Sequence, residues 1–210
     1  MPGGCWACPR GARVPSGPDE IRCFVAIGLP PEAKRGLAEL ASGLRRGEQR
    51  FIKWVDPDGI HLTLKFLGNV SAKNVGGITE AVAGVATAGA PFRLGISGIG
   101  AFPSLKQPRV VWVGMNGDLE RLELLQQDVE SRMARLGFAR ENRRFAPHLT
   151  LARVREGASP EERRAFGELL ASSRFEETYD VPVNAISLVR SQLTPAGAIY
   201  TRLYEAQLGS

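Results

Sequence analysis

The sequence predicts a mixed strand-and-helix protein built as two similar lobes, and three observations predict it. The tetrapeptide His61-Leu62-Thr63-Leu64 returns as His148-Leu149-Thr150-Leu151, and the two copies hold both histidines of the chain. The same spacing of 87 residues (61 to 148) relates Arg22–Ile27 (RCFVAI) to Arg109–Gly114 (RVVWVG), and the helix start near Pro31 to Asp118. After each histidine motif the pattern turns to a loop and then to a helix start, near Ser71 and near Ser159. Self-similarity at a fixed spacing marks an internal duplication, here of a unit carrying one His-x-Thr strand.

In chain order, residues 1–20 (MPGGCWACPRGARVPSGPDE) are dense in proline and glycine, which predicts a disordered tail ahead of a domain spanning 21–208. Cys5 and Cys8 imitate a redox or zinc pair, but no second pair accompanies them and Cys23 alone does not complete a ligand set. Arg22–Leu29 is nearly all apolar from Phe24 to Ile27, the pattern of a central strand. Pro30-Pro31 opens a helix to about Arg46, with Leu37, Leu40 and Leu44 along one side. Phe51–Trp54 reads as a short strand and Asp56–Gly59 as a turn. Alternation over His61–Leu67 puts His61, Thr63 and Lys65 on a face toward a cleft, and Leu62, Leu64 and Phe66 on a buried face.

Residues 72–87 read as a helix of small residues and Phe92–Ile99 as a strand. The run Gly95–Gly100 (GISGIG) lacks dinucleotide-binding spacing, and Phe102-Pro103 follows where a helix should begin. It reads as a strand end leading into a lobe-to-lobe connection, Phe102–Pro108. A second strand–helix unit follows: Arg109–Met115, then Asp118 to about Leu136 with a core stripe of Leu122, Leu125, Val129, Met133 and Leu136. Ser159-Pro160-Glu161-Glu162 combines an N-cap serine, proline at the first helical position and glutamate at the third, opening a helix over 160–172. Two strands, about 178–193 and 198–206, close the chain through a turn at Leu193–Gly197.

Composition narrows the function classes. With 43% hydrophobic and 23% charged residues the chain is ordinary for a globular protein, and no apolar run is long enough to span a membrane. Residues 1–20 lack the apolar centre of a signal peptide, and three cysteines argue against a disulfide framework, so a reducing cytoplasm is expected. The formal charge is +5, with 22 arginines against 5 lysines. Arginine's planar fork of donors suits phosphate. Seven arginines and one acid, Glu141, fall between Arg132 and Arg155, around His148. Such a run is either a solvated surface or a phosphate-binding one.

The histidines carry the chemistry. Metal binding would ask more than two imidazoles, and neither motif adds a carboxylate or thiolate to its polar face. A threonine nucleophile would need a base and an orienting acid, and neither tetrapeptide contains Asp or Glu. General acid–base chemistry needs only what is present. One imidazole takes a proton from an attacking water, the other protonates a departing oxygen, and the two hydroxyls bond the oxygens between them. Those demands fit in-line displacement at a phosphodiester, with nearby arginines holding the anion.

His61–Gly68 (HLTLKFLG) and Pro147–Arg153 (PHLTLAR) closely resemble the paired His-x-Thr motifs of the two-histidine phosphoesterase superfamily, above all the bacterial and archaeal RNA 2′,3′-cyclic phosphodiesterases once described as 2′–5′ RNA ligases. Supporting segments are Arg22–Ile27, Phe102–Ser104, Arg109–Gly114 and Ser191–Tyr200, so the resemblance covers about residues 21–206. It implies a bilobal α+β fold, with antiparallel sheets around a central cleft, helices outside and one motif from each lobe. It implies cofactor-free and metal-free hydrolysis of RNA 2′,3′-cyclic phosphate ends to 2′-phosphates by a monomer. His61 would be the general acid and His148 the general base. Thr63, Thr150, Lys65, Arg144, Arg153 and Phe145 would bind substrate. A ligase running the same site backward, with an RNA 5′-hydroxyl in place of water, and a non-catalytic module that only holds RNA ends remain the alternatives.

Overall fold

The computed structural model describes residues 19–46, 49–175, 179–194 and 197–209. The tail expected over residues 1–20, with Cys5 and Cys8, lies outside them except for Asp19 and Glu20. Among the described residues nine strands and four α-helices run in the order β1 (Glu20–Ile27), α1 (Pro31–Leu44), β2 (Ile52–Trp54), β3 (Leu62–Ser71), α2 (Val75–Ala88), β4 (Phe92–Phe102), β5 (Val110–Gly117), α3 (Leu119–Arg135), β6 (His148–Val154), α4 (Pro160–Ser172), β7 (Tyr179–Val183), β8 (Ala185–Leu193) and β9 (Ala198–Gln207). The fold is the expected antiparallel α+β arrangement. Its two lobes are joined into one sheet of order β7-β4-β5-β6-β3-β1-β8-β9, with β2 also paired to β6.

The seam of that sheet is the centre of the molecule. β3 and β6 meet through one residue pair, Leu62 opposite Leu149. Both leucines are fully buried, as are Leu64 and Leu151. Each such side chain contributes about 1.5–3 kcal/mol by leaving water, so the seam is held from behind by apolar packing rather than by a long ladder.

Each lobe takes strands and helices from both halves of the chain. One lobe runs β3-β1-β8-β9, with β1 between β3 and β8; the other runs β7-β4-β5-β6, with β4 between β7 and β5. The helices exchange in the same way: α2 and α3 cover the β3-β1-β8-β9 side, whereas α1 lies against β7 and α4 against β4. The expected strand over 178–193 is therefore two. β7 pairs with β4, and the chain then passes to the other lobe as β8, which pairs with β1. Apolar faces of helices and sheet merge in a single core cluster.

Local chemistry explains most element limits. At α4 the Ser159 hydroxyl accepts from the Glu162 amide (3.2 Å) and the Glu162 carboxylate accepts from the Ser159 amide (2.7 Å), a complete capping box. Leu136, expected in the α3 core stripe, falls just beyond the helix and is 45% exposed. The run Gly95–Gly100 is strand throughout. Gly98, at φ +71°, is the extra residue of a bulge in β4, and Gly100 lies so close to the Trp112 indole that an added Cβ would come within 2.4 Å of it. Those glycines serve sheet geometry, not a phosphate loop.

Candidate active site

The seam pair decides where the motifs go. In an antiparallel pair, neighbours of opposed residues are themselves opposed, and they project from the other face. With Leu62 across from Leu149 and turned to the core, position 61 lies across from 150 and position 63 across from 148. The two His-x-Thr pairs thus share one side of the sheet, at the junction of the lobes. His61, Thr63, His148 and Thr150 are all half-buried.

Both imidazoles are held alike. His61 Nδ1 lies 2.8 Å from the Gly59 carbonyl oxygen, and His148 Nδ1 lies 2.7 Å from the Ala146 carbonyl oxygen, each two residues upstream. A carbonyl only accepts, so Nδ1 carries a hydrogen in both rings, and Nε2 is the nitrogen left to take or give a proton. The first carbonyl is presented by a short 3-10 turn, Pro57–Gly59, whose start is capped by the Asp56 carboxylate accepting from the Asp58 amide (3.0 Å).

Burial pushes both histidine pKa values below the ordinary range, opposed by the backbone bond on Nδ1 and helped by a nearby cation, Lys34 for His61 and Arg153 for His148. The aromatic surroundings differ. His61 stacks on Phe24 with centroids 4.4 Å apart and meets Tyr200 edge-on at 5.0 Å. His148 meets Phe102 edge-on at 5.0 Å. Burial also raises the Tyr200 phenol pKa, while Arg153 and Arg22 act to lower it. The positive charge of Arg153 thus acts to lower both the His148 pKa and that of the tyrosine that touches His61.

Beyond the threonines, simple alternation fails in both copies at the same place. Val25 pairs with Lys65 but Ala26 with Thr63, which leaves Leu64 as the extra residue of a bulge. Val111 pairs with Ala152 but Trp112 with Thr150, which leaves Leu151 extra. Each bulge turns the following residue inward and returns the next one to the histidine side. Lys65 and Ala152 are consequently buried, and Phe66 and Arg153 are exposed. The same registers set Ala26 and Trp112 at equivalent places, an offset of 86 (26 to 112) rather than the 87 of the histidine motifs.

The expected substrate residues therefore divide. Arg153 stands on the histidine side, but Lys65 does not. Its ammonium is buried against α3, 2.9 and 2.8 Å from the two carboxylate oxygens of Glu130. The physical reason is the bulge, which reverses the face on which Lys65 was expected. Phe145 is half-buried against the apolar core, so its ring anchors the connection before β6 instead of standing free. Arg144 is exposed on that same connection. Sequence reasoning missed Phe24, Phe102 and Tyr200 around the rings, and Lys34; it also put Phe66 on the buried face, whereas the bulge leaves that ring 52% exposed against Phe24. A signal for the bulge was available in the second copy, where strict alternation would set Arg153 on the buried face beside Leu149 and Leu151.

An antiparallel two-lobed sheet with one His-x-Thr from each lobe on a shared face defines the two-histidine phosphoesterases. The chain belongs to the LigT-like phosphoesterase family, whose sequence model matches it twice, over residues 27–112 and 113–200. It is 33% identical over 182 residues to an RNA 2′,3′-cyclic phosphodiesterase of Methanothermobacter thermautotrophicus, covering 87% of this chain and 96% of that one. It is 38% identical over 159 residues to an RNA 2′,3′-cyclic phosphodiesterase of Aeropyrum pernix, covering 76% and 88%. Among solved structures, E. coli LigT complexed with 3′-AMP superposes with a TM-score of 0.73 at 27% identity, covering 91% of this chain and 99% of that one. The Thermus thermophilus protein TT0787 also gives 0.73, at 28% identity, covering 90% and 98%.

Proposed function

We propose that this chain hydrolyses 2′,3′-cyclic phosphate ends of RNA to 2′-phosphomonoesters by two-histidine acid–base catalysis. The carrying observation is the matched pair of imidazoles on one face of the seam, each tethered at Nδ1 with Nε2 left to handle a proton. The names of its relatives support the substrate class.

In the reaction, His148 Nε2 takes a proton from water as the water oxygen attacks phosphorus in line with the ribose 3′-oxygen. The phosphorus–3′-oxygen bond breaks, and His61, entering protonated, gives its Nε2 proton to that oxygen. The products are a 3′-hydroxyl and a 2′-phosphate, and the two histidines have exchanged protonation states. Thr63 and Thr150 hydroxyls donate to the non-bridging oxygens, where charge gathers in the transition state. Arg153 adds positive charge beside His148 and Tyr200, which favours a bound phosphate dianion or its transition state. Arg144 supplies charge for the RNA strand.

The same reading takes the enzyme as a cytoplasmic monomer acting through one bilobal unit over residues 21–208; no helix among the described residues is long and apolar enough to cross a membrane. Incubation with nucleoside 2′,3′-cyclic phosphates, followed by identification of the product isomer, tests the reading. The 2′-phosphate is expected. Recovery of unchanged cyclic nucleotide, or formation of the 3′-phosphate, overturns it.

A further inference from the structure

The pairing of Lys65 with Glu130 is not explained by the reaction. Both side chains are buried, Lys65 at 6% exposure and Glu130 at 8%. The Lys65 ammonium also donates to the Ala139 carbonyl oxygen (2.9 Å), and the Glu141 amide donates to Glu130 Oε2 (3.4 Å). Gln126, itself buried, donates to Glu130 Oε1 (3.5 Å) and to the carbonyl of Leu64, the bulge residue (3.4 Å). One cluster thus ties the bulge after the first histidine motif to the connection that leads into the second.

That connection, residues 139–147, has no helix or strand of its own and ends at His148, whose ring donates to Ala146. It is not packed down along its length: a cavity of about 330 Å³ opens beside α3, lined in part by Glu130, Arg140 and Arg143. Polar bonds at Ala139 and Glu141 hold one end, and the Phe145 ring, packed on the core, holds the other. Between the two anchors Arg143 and Arg144 are exposed.

Stability alone does not account for the ion pair. Two buried charges replaced by apolar side chains of similar volume commonly leave a protein as stable or more so. The second motif already has an apolar residue in the corresponding place, Ala152, fully buried. The ion pair instead stands where the connection into the second motif meets α3, with Lys65 bonded to Ala139 and Glu130 to Glu141 of that connection.

We propose that the Lys65–Glu130 pair is a positioning device that fixes the 139–146 connection, so that Arg143 and Arg144 grip phosphates of the RNA strand beyond the reacting nucleotide. The inference rests on the cyclic phosphodiesterase reading and adds to it how a long strand is distinguished from a mononucleotide. Lys65 and Glu130 touch no substrate; they act through the arginines.

Lys65→Ala alone strands a buried carboxylate and invites unfolding. The test therefore uses the double substitution Lys65→Met, Glu130→Met, which removes both charges and both backbone tethers. Salt dependence of KM is measured with a cyclic-phosphate-ended RNA oligonucleotide and with a cyclic mononucleotide, in the parent and the double variant, each with and without Arg143→Ala, Arg144→Ala. In the double variant KM for the oligonucleotide should rise about tenfold, and its log–log salt slope should flatten by about 1.4, two single-strand phosphate contacts at about 0.7 each. The cyclic mononucleotide should keep its KM and kcat within about twofold. The arginine substitutions should then cost little more in that background. Equal losses on both substrates, or an unchanged oligonucleotide slope, overturn the proposal. A second measurement needs no variant: in the parent protein the Glu141 amide should exchange slowly with solvent while the Arg143 and Arg144 amides exchange freely. Free exchange at Glu141 refutes the tether. If the parent protein fails to turn over the cyclic mononucleotide, the functional reading fails instead.

Discussion

Replacing each histidine by asparagine separates the two proton transfers. Asparagine Nδ2 occupies nearly the place of imidazole Nδ1, so the bonds to Gly59 (2.8 Å) and Ala146 (2.7 Å) can persist while Nε2 is lost. On a cyclic nucleotide either change should lower turnover by about 10²–10⁴, the usual worth of a positioned acid or base. Loss of fold does not account for such a drop. His61→Asn gives up two aromatic contacts, with Phe24 and Tyr200, worth about 0.5–1.5 kcal/mol each. That is a cost of about 1–3 kcal/mol against a typical stability of about 5–15. His148→Asn gives up one such contact, with Phe102, and should lower Tm by about half as much. An activated substrate then distinguishes the roles, because a nitrophenolate departs without a proton and a ribose oxygen does not. On a nitrophenyl phosphodiester bound with its leaving group toward position 61, His61→Asn should retain most of the parent kcat/KM, and His148→Asn should lose it. The reverse pattern exchanges the roles, and equal losses on both substrates refute acid–base catalysis by this pair.

Three further outcomes are expected. The proposed chemistry uses only imidazoles and hydroxyls, so activity should survive exhaustive chelation; loss under EDTA restored by one divalent ion counts against the mechanism. Burial lowers both histidine pKa values, so the folded state prefers them neutral. Their contribution to stability is therefore complete above the unfolded value of about 6.5 and is lost as pH falls through the folded values. Denaturant unfolding between pH 7 and pH 5 should show this loss, and His61→Asn with His148→Asn should diminish it. Gly100→Ala drives a Cβ to 2.4 Å from the Trp112 indole and should cost about 1–3 kcal/mol, measured by thermal unfolding; an unchanged Tm would mean that the indole moves freely.

Much of the site was legible because a period of two is reliable over short strands. The spacing of His61 from Thr63 and of His148 from Thr150 placed each pair on one face, and the four intervening and following leucines were correctly expected in the core. The helix over 160–172 matched its capping sequence residue for residue. Lys65 was misplaced because a bulge carries no local sequence mark. Only comparison of the two copies exposes it, since a face containing Leu149, Leu151 and Arg153 cannot all be core. The break between β7 and β8 was hidden for another reason. Tyr179–Leu193 reads as strand apart from Asp180, Pro182 and Asn184, and at Asn184 the tertiary partner changes from β4 to β1. The aromatic setting of His61 escaped notice because Tyr200 arrives from an edge strand that is mostly exposed and shows no alternation of burial.

The exchange of strands between chain halves bears on how the protein is made. β1, translated ahead of every other described element, lies between β3 and β8, and Val25 pairs with Leu188, a residue translated 163 positions later (25 to 188). Until that stretch emerges, an almost wholly apolar strand has one flank unpaired, an edge open to any strand with a matching pattern. The first hundred residues thus hold one complete histidine motif but no complete lobe. The active-site face comes into being late, when the returning β8 closes one lobe just after β7 has closed the other.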